Sequence, residues 1–162
     1  MSLARAAGFN CTRVADFYDK LEATVQENKF IPNRIHNCDG TGFSCVQRPL
    51  RILARKDKHQ VCERGKNITF VCCVSATGHD IPLLVIFPRE GMKEELQEGA
   101  VPGSIFACQK NDWSNLEPFT EWFQHFVDTV KPSVDEKVLF LLDGHVSHTQ
   151  NILALQKPQN VV

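Results

Sequence analysis

Val138-Leu139-Phe140-Leu141-Leu142-Asp143-Gly144-His145-Val146-Ser147-His148 decides how this chain is read. Five apolar residues in a row, without alternation, describe a strand buried on both faces. A strand of that kind ending in a carboxylate, with two histidines just beyond, is the layout of a site at the carboxyl edge of an α/β sheet. A second acid has a comparable setting much earlier, in Ile35-His36-Asn37-Cys38-Asp39-Gly40-Thr41-Gly42. Brought together, two such acids could hold a divalent cation.

Working outward, the chain contains three further elements with clear patterns. Val14, Phe17, Tyr18, Leu21 and Val25 recur at helical spacing, with Asn10 or Thr12 able to cap that helix. Residues 68–75 and 81–87, rich in β-branched and aromatic side chains, flank Ala76-Thr77-Gly78-His79-Asp80 and read as a hairpin. Leu116, Phe119, Phe123, Phe126 and Val130 mark an amphipathic helix closed by Lys131-Pro132, with Phe119 and Trp122 as core aromatics. Residues 34–38 read as a short strand, the Asp-Gly-Thr-Gly after it as a turn, and 88–111 as a loop. Asn160-Val161-Val162 reads as the start of another strand. A mixed sheet fits this order, with the Asp143 strand parallel to the Asp39 strand through a crossover.

Length and composition narrow the classes. With 162 residues the chain has the size of one domain, and a net charge of -1 argues against a basic clamp over the whole surface. A basic stretch from Arg48 to Lys66 is either a solvated loop or a phosphate-contacting patch. No apolar run approaches the roughly 20 residues of a membrane span, and no signal-peptide core is visible, so the sequence reads as intracellular. Seven cysteines, with no CxxC pair, read as reduced thiols rather than a disulfide framework or zinc finger. Asp-Gly-Thr-Gly lacks the lysine of a phosphate-binding P-loop, and Ser147 lacks the flanking glycines of a hydrolase elbow. His145 and His148 read either as outer partners of the acids and phosphate contacts, or as turn histidines near a strand end.

Taken in order, several segments resemble the DDE superfamily endonuclease domain of pogo/Tigger/jerky-type transposases and of genes derived from them. They are Ser2-Leu3-Ala4-Arg5-Ala6 with Gly8-Phe9-Asn10, the Asp39 segment, Val74-Ser75-Ala76-Thr77-Gly78, Ile81-Pro82 with Ile86-Phe87-Pro88, Pro102-Gly103-Ser104, Trp113, and Leu141 to His148. The resemblance spans nearly the whole chain. It implies an α/β, RNase H-like mixed sheet with flanking helices: an N-terminal helical segment over 1–33, then a partial endonuclease domain over 34–162. It also implies Mg²⁺ or Mn²⁺ held by three acids, with Asp39 and Asp143 as the first two catalytic and metal-binding carboxylates. DNA as partner, a possible dimer and a nuclear location follow from the same likeness; no small-molecule substrate and no membrane are expected.

The sequence departs from the family pattern at three points. The family's third acid follows a further strand and a Gln-Pro-Leu-Asp pattern, and no residue here takes that role. Gly40 stands where the family usually has Glu after the first Asp. The helix-turn-helix domains that read transposon ends are not among these residues. The expectation is therefore a nucleic-acid-binding domain whose ancestral metal-dependent cleavage and strand transfer are incomplete, lacking the final strand or strands. The alternative is a non-enzymatic interaction module or a degenerate relic. A missing final strand would also leave a sheet edge open, which predicts poor solubility.

Overall fold

A computed structural model describes residues 10–44, 67–109, 117–142 and 160–162. Helix α1 (Cys11–Asn28) begins at Asn10, whose side chain accepts the Arg13 N–H at 3.0 Å. Asn10 is thus the cap, as one of the two candidates. The helix ends where Lys29 turns left-handed (φ 54°) and Phe30 N–H reaches the Val25 carbonyl. A 3₁₀ turn, Pro32–Arg34, then leads into β1 (Ile35–Ser44). The hairpin follows as β2 (Asn67–Ser75) and β3 (Asp80–Phe87). After a short 3₁₀ turn (Glu94–Leu96) come β4 (Ile105–Cys108), α2 (Glu117–Val130) and β5 (Leu139–Leu142).

The strands lie in the order β4-β3-β2-β1-β5. Strands β1, β2 and β3 form an antiparallel meander, whereas β5 runs parallel to β1 and β4 parallel to β3. Beyond β5, Val161 makes a parallel bridge to Val138, so residues 160–162 do pair as a further strand begins. This is the mixed α/β, RNase H-like sheet expected from the sequence, with the β1–β5 parallel pairing where the crossover required it.

Two expectations need correction. Asp39-Gly40-Thr41-Gly42 is not a turn but the middle of β1: it pairs with Cys72-Val71-Phe70-Thr69 of β2. Glycines cost strand stability through entropy, but a full ladder against β2 outweighs a local turn preference. The loop over 88–111 also contains β4, because Ile105 to Cys108 can pair along the open side of β3. Its four residues were too short to give a period.

The core lies between one sheet face and α2. Cys38, Val71, Cys73, Ile81 and Leu84 face Phe119, Trp122, Phe123 and Phe126. Trp122 and Phe126 are fully buried, as the helical spacing predicts. Phe140 completes the aromatic cluster, with its ring centroid 4.6 Å from that of Phe126. Trp122 also donates its indole N–H to the Pro82 carbonyl at 3.0 Å, which ties α2 to β3. Pro82 sits in a bulge: Val71 pairs Leu84 and Cys73 pairs Ile81, so Pro82 and Leu83 together oppose Cys72. A residue without an N–H is tolerated there because the ladder is already interrupted. Helix α1 differs from α2 in having no buried residue; Phe17 and Tyr18 stack edge-on and are exposed.

Candidate functional site

Alternation along β1 sorts its side chains. His36 and Cys38 are buried beneath α2, while Asn37 and Asp39 are exposed on the opposite face. Asp39 therefore presents its carboxylate to solvent from a strand held on both sides. Its Oδ1 accepts the Gly40 N–H at 2.8 Å, which fixes the carboxylate against its own backbone. Oδ2 has no hydrogen-bond partner among the described residues.

On one side of Asp39 stands β5. Ile35, His36, Asn37 and Cys38 pair in parallel with Leu139, Phe140, Leu141 and Leu142, and the described part of β5 ends there. Asp39 follows Cys38 in sequence as Asp143 follows Leu142. Asp143, His145 and His148 lie outside the described residues.

On the other side stands Cys72, the direct antiparallel partner of Asp39. Directly opposed residues share a face, with Cβ atoms about 4.5–5.5 Å apart. Partial burial pushes the Cys72 thiol above its usual range, and the negative charge of Asp39 adds to that, followed by Cys73. One step toward Ile35 in β1, Cys38 opposes Cys73 on the buried face. Their mutual hydrogen bond and burial push the Cys38 thiol up strongly, so it stays protonated. Sequence reading had no means of finding Cys72 beside Asp39, because only the β1–β2 register brings them together.

Among the described residues no group of three or more His, Cys, Asp or Glu side chains is set to hold a metal ion. The described donors are one exposed carboxylate with a free oxygen and one adjacent thiol. Carboxylate oxygens suit hard divalent cations, so Asp39 fits the ion that the sequence implied as one ligand of a larger set.

Residues 65–162 match the DDE superfamily endonuclease family. The chain belongs to that family. The DDE chain is also 26% identical over 152 residues to the human Tigger transposable element-derived protein 7, covering 83% of the chain. That likeness supports the pogo/Tigger type of DDE domain. The chain spans about a quarter of the length of this curated relative, 27%. No solved structure matches it. DDE domains are generally dependent on divalent metal ions. No helix among the described residues is long and apolar enough to cross a membrane.

Proposed function

We propose that this chain is a transposase-derived, nucleic-acid-binding DDE domain that acts in the nucleus on DNA and binds a divalent ion through Asp39 and Asp143. The observation that carries this reading is the parallel pairing of Cys38 with Leu142, the residues that immediately precede the two acids. Strands registered in this way deliver their next residues to the same sheet edge. Bound there, Mg²⁺ or Mn²⁺ would supply Lewis-acid activation of a water or 3′-hydroxyl and stabilisation of the departing oxygen.

The residues' own contribution is to position charge. Pairing with Cys72 of β2 holds the Asp39 backbone, and the Gly40 N–H keeps one carboxylate oxygen oriented, leaving the other for the ion. His145 and His148 are proposed as hydrogen-bonding partners of the acids or of a phosphate. Two carboxylates leave such a site short of ligands for a pair of ions. These 162 residues on their own are therefore expected to bind metal weakly and to cleave DNA inefficiently or not at all.

The experiment is thermal denaturation with and without saturating Mn²⁺, on the native chain and on Asp39→Asn and Asp143→Asn. The reading requires a rise in Tm with Mn²⁺ that both variants abolish. An unchanged native melting curve overturns it.

A second reading is a non-enzymatic interaction module. Exposed Phe17 and Tyr18 on α1 favour it, since a helix that buries none of its own residues has an apolar side available for contact. In that case Mn²⁺ leaves Tm unchanged, while substitution of Phe17 and Tyr18 alters self-association or partner binding.

A further inference from the structure

Helix α1 carries an apolar stripe that its own chain does not bury. Val14, Phe17, Tyr18, Leu21 and Val25 recur at spacings of three and four and lie along one side of the helix. The same spacing in α2 is packed into the core, whereas α1 has no buried residue, and Phe17 and Tyr18 are 52% and 61% exposed. A tie to the rest of the chain lies at the C-terminal end of α1, where Lys137 donates to Asn28 Oδ1 at 3.3 Å. Beside the stripe, one heptad apart, stand Arg13, Lys20 and Glu27. A cation in the first turn and an anion in the last are the reverse of what the helix dipole favours, and α1 has neither an acid in its first turn nor a base in its last. This order of charges therefore does not serve the isolated helix. Lys20 pairs with Asp16 at 2.8 Å, while among the described residues no ion pair engages Arg13 or Glu27.

We propose that α1 docks on α1 of a second copy of this chain as an antiparallel pair, stripe against stripe, with Arg13 of each copy beside Glu27 of the other. This rests on the second reading above only in making α1 a contact helix, and it needs no metal ion. A two-fold axis across an antiparallel pair brings the same flank of both helices together. Positions 13 and 27 then meet at both ends, and position 20 meets itself, with Asp16 alongside to offset the approach of two lysines. Phe17 falls against Leu21 of the second copy, the layering that such a pair requires. Each Arg13 also reaches the negative end of the opposite helix, and each Glu27 the positive end, so charges misplaced within one helix are well placed across two. A parallel pair sets opposite flanks together, with Arg13 against Tyr18 and Lys20 against Val25, and forms no ion pair. The footprint of an 18-residue helix, about 27 Å by about 10–12 Å, is well below the about 800 Å² that each side gives a standard interface. The dimer is therefore weak and exchanges with monomer.

The test is sedimentation equilibrium of the whole chain across the micromolar range, without added metal. The variants are Phe17→Ser with Tyr18→Ser, Arg13→Glu, Glu27→Arg, and the last two combined. Each reversal gives α1 a charge that its own dipole favours, so lost association cannot be put down to a melted helix, and an unchanged far-ultraviolet circular dichroism spectrum checks this. The expected result is a monomer–dimer equilibrium that Phe17→Ser with Tyr18→Ser abolishes. Either single reversal breaks both symmetry-related ion pairs and sets like charges in their place, which weakens the dimer about 10-fold. The combined reversal rebuilds the pairs with opposite sign and restores native affinity. A chain that stays monomeric overturns the proposal and leaves the contact role of α1 to a foreign partner. A dimer that ignores Phe17 and Tyr18 overturns both the proposal and the reading of α1 as a contact helix. A dimer that needs Phe17 and Tyr18 but is not restored by the combined reversal keeps that reading and overturns the antiparallel docking.

Discussion

Arg34 joins the start of β1 to the end of α2: its guanidinium donates to the Val130 carbonyl at 2.8 Å and also pairs with Glu136. Helix carbonyls at a C-terminus lack intrahelical donors and carry partial negative charge, so a guanidinium there satisfies both needs. Arg34→Ala is expected to destabilise the chain by about 1–3 kcal/mol, because a charge-assisted bond is lost and the carbonyl is left wanting. Glu136→Gln should cost less, since its side chain is largely exposed. Urea denaturation of the two variants checks this order; equal losses would contradict it.

The indole of Trp122 is expected to matter beyond its size. Trp122→Phe keeps most of the buried ring but removes the donor to Pro82 and opens a small cavity, for a loss of about 1–3 kcal/mol. Trp122→Ala should lose about 3–5 kcal/mol. Both are read from denaturation midpoints at constant m-value.

His36 gives the chain a pH-dependent stability. Burial lowers its pKa from the ordinary 6.5, and the neighbouring Arg34 charge lowers it further against a backbone hydrogen bond that raises it. In the window below 6.5 and above the folded value, the unfolded chain binds more protons than the folded one. Stability therefore falls as pH drops through that window. Comparing Tm at pH 7.5 and pH 5.5 should show a decrease in the native chain and a smaller one in His36→Gln. An identical decrease in both would assign the effect elsewhere.

Thiol reactivity should divide by face. Cys11 is exposed, whereas Cys38 and Cys73 are buried, and the Cys38 thiol is held protonated. Pulsed alkylation of the native chain, mapped by mass spectrometry, should label Cys11 quickly and Cys38 and Cys73 only on unfolding. Rapid native labelling of Cys38 would mean that α2 does not stay docked on the sheet.

Gly103 is a position where a side chain is costly. Its φ of +84° is unfavourable for other residues, and an added Cβ would lie 3.3 Å from Pro82 Cγ. Gly103→Ala is expected to lose about 1–2 kcal/mol, measurable as a lowered denaturation midpoint.

Much of this architecture was legible because long-period and all-apolar segments carry their own signal. Phe119, Phe123 and Phe126 announce α2, and residues 138–142 announce a strand, although only Val138 and Leu139 of it are buried and Phe140 to Leu142 are half-buried. Asp39-Gly40-Thr41-Gly42 misled for a physical reason: its local preference is a turn, and only ladder bonds to residues 69–72 make it a strand. The four residues of β4 were likewise defined by a neighbour rather than by themselves. Val14, Leu21 and their companions gave the helix correctly, yet spacing could not reveal that α1 would bury none of them. At the candidate site, Asp39 stood out through its context in sequence, whereas Cys72 is separated from it by 33 positions and is adjacent only through register.

The pairing of residues 160–162 with β5 bears on how this protein is handled at the bench. Val138 donates to Asn160 and accepts from Val162, and Phe140 donates to Val162, at 2.9–3.0 Å. A recombinant boundary drawn three codons earlier would strip these bonds from a strand whose first flanking side chain, Val138, is fully buried. Each shortened molecule would then expose a sticky margin to its neighbours, and inclusion bodies would be the expected harvest. Purification tags belong at the other end of the chain, ahead of α1, a helix that buries none of its own residues.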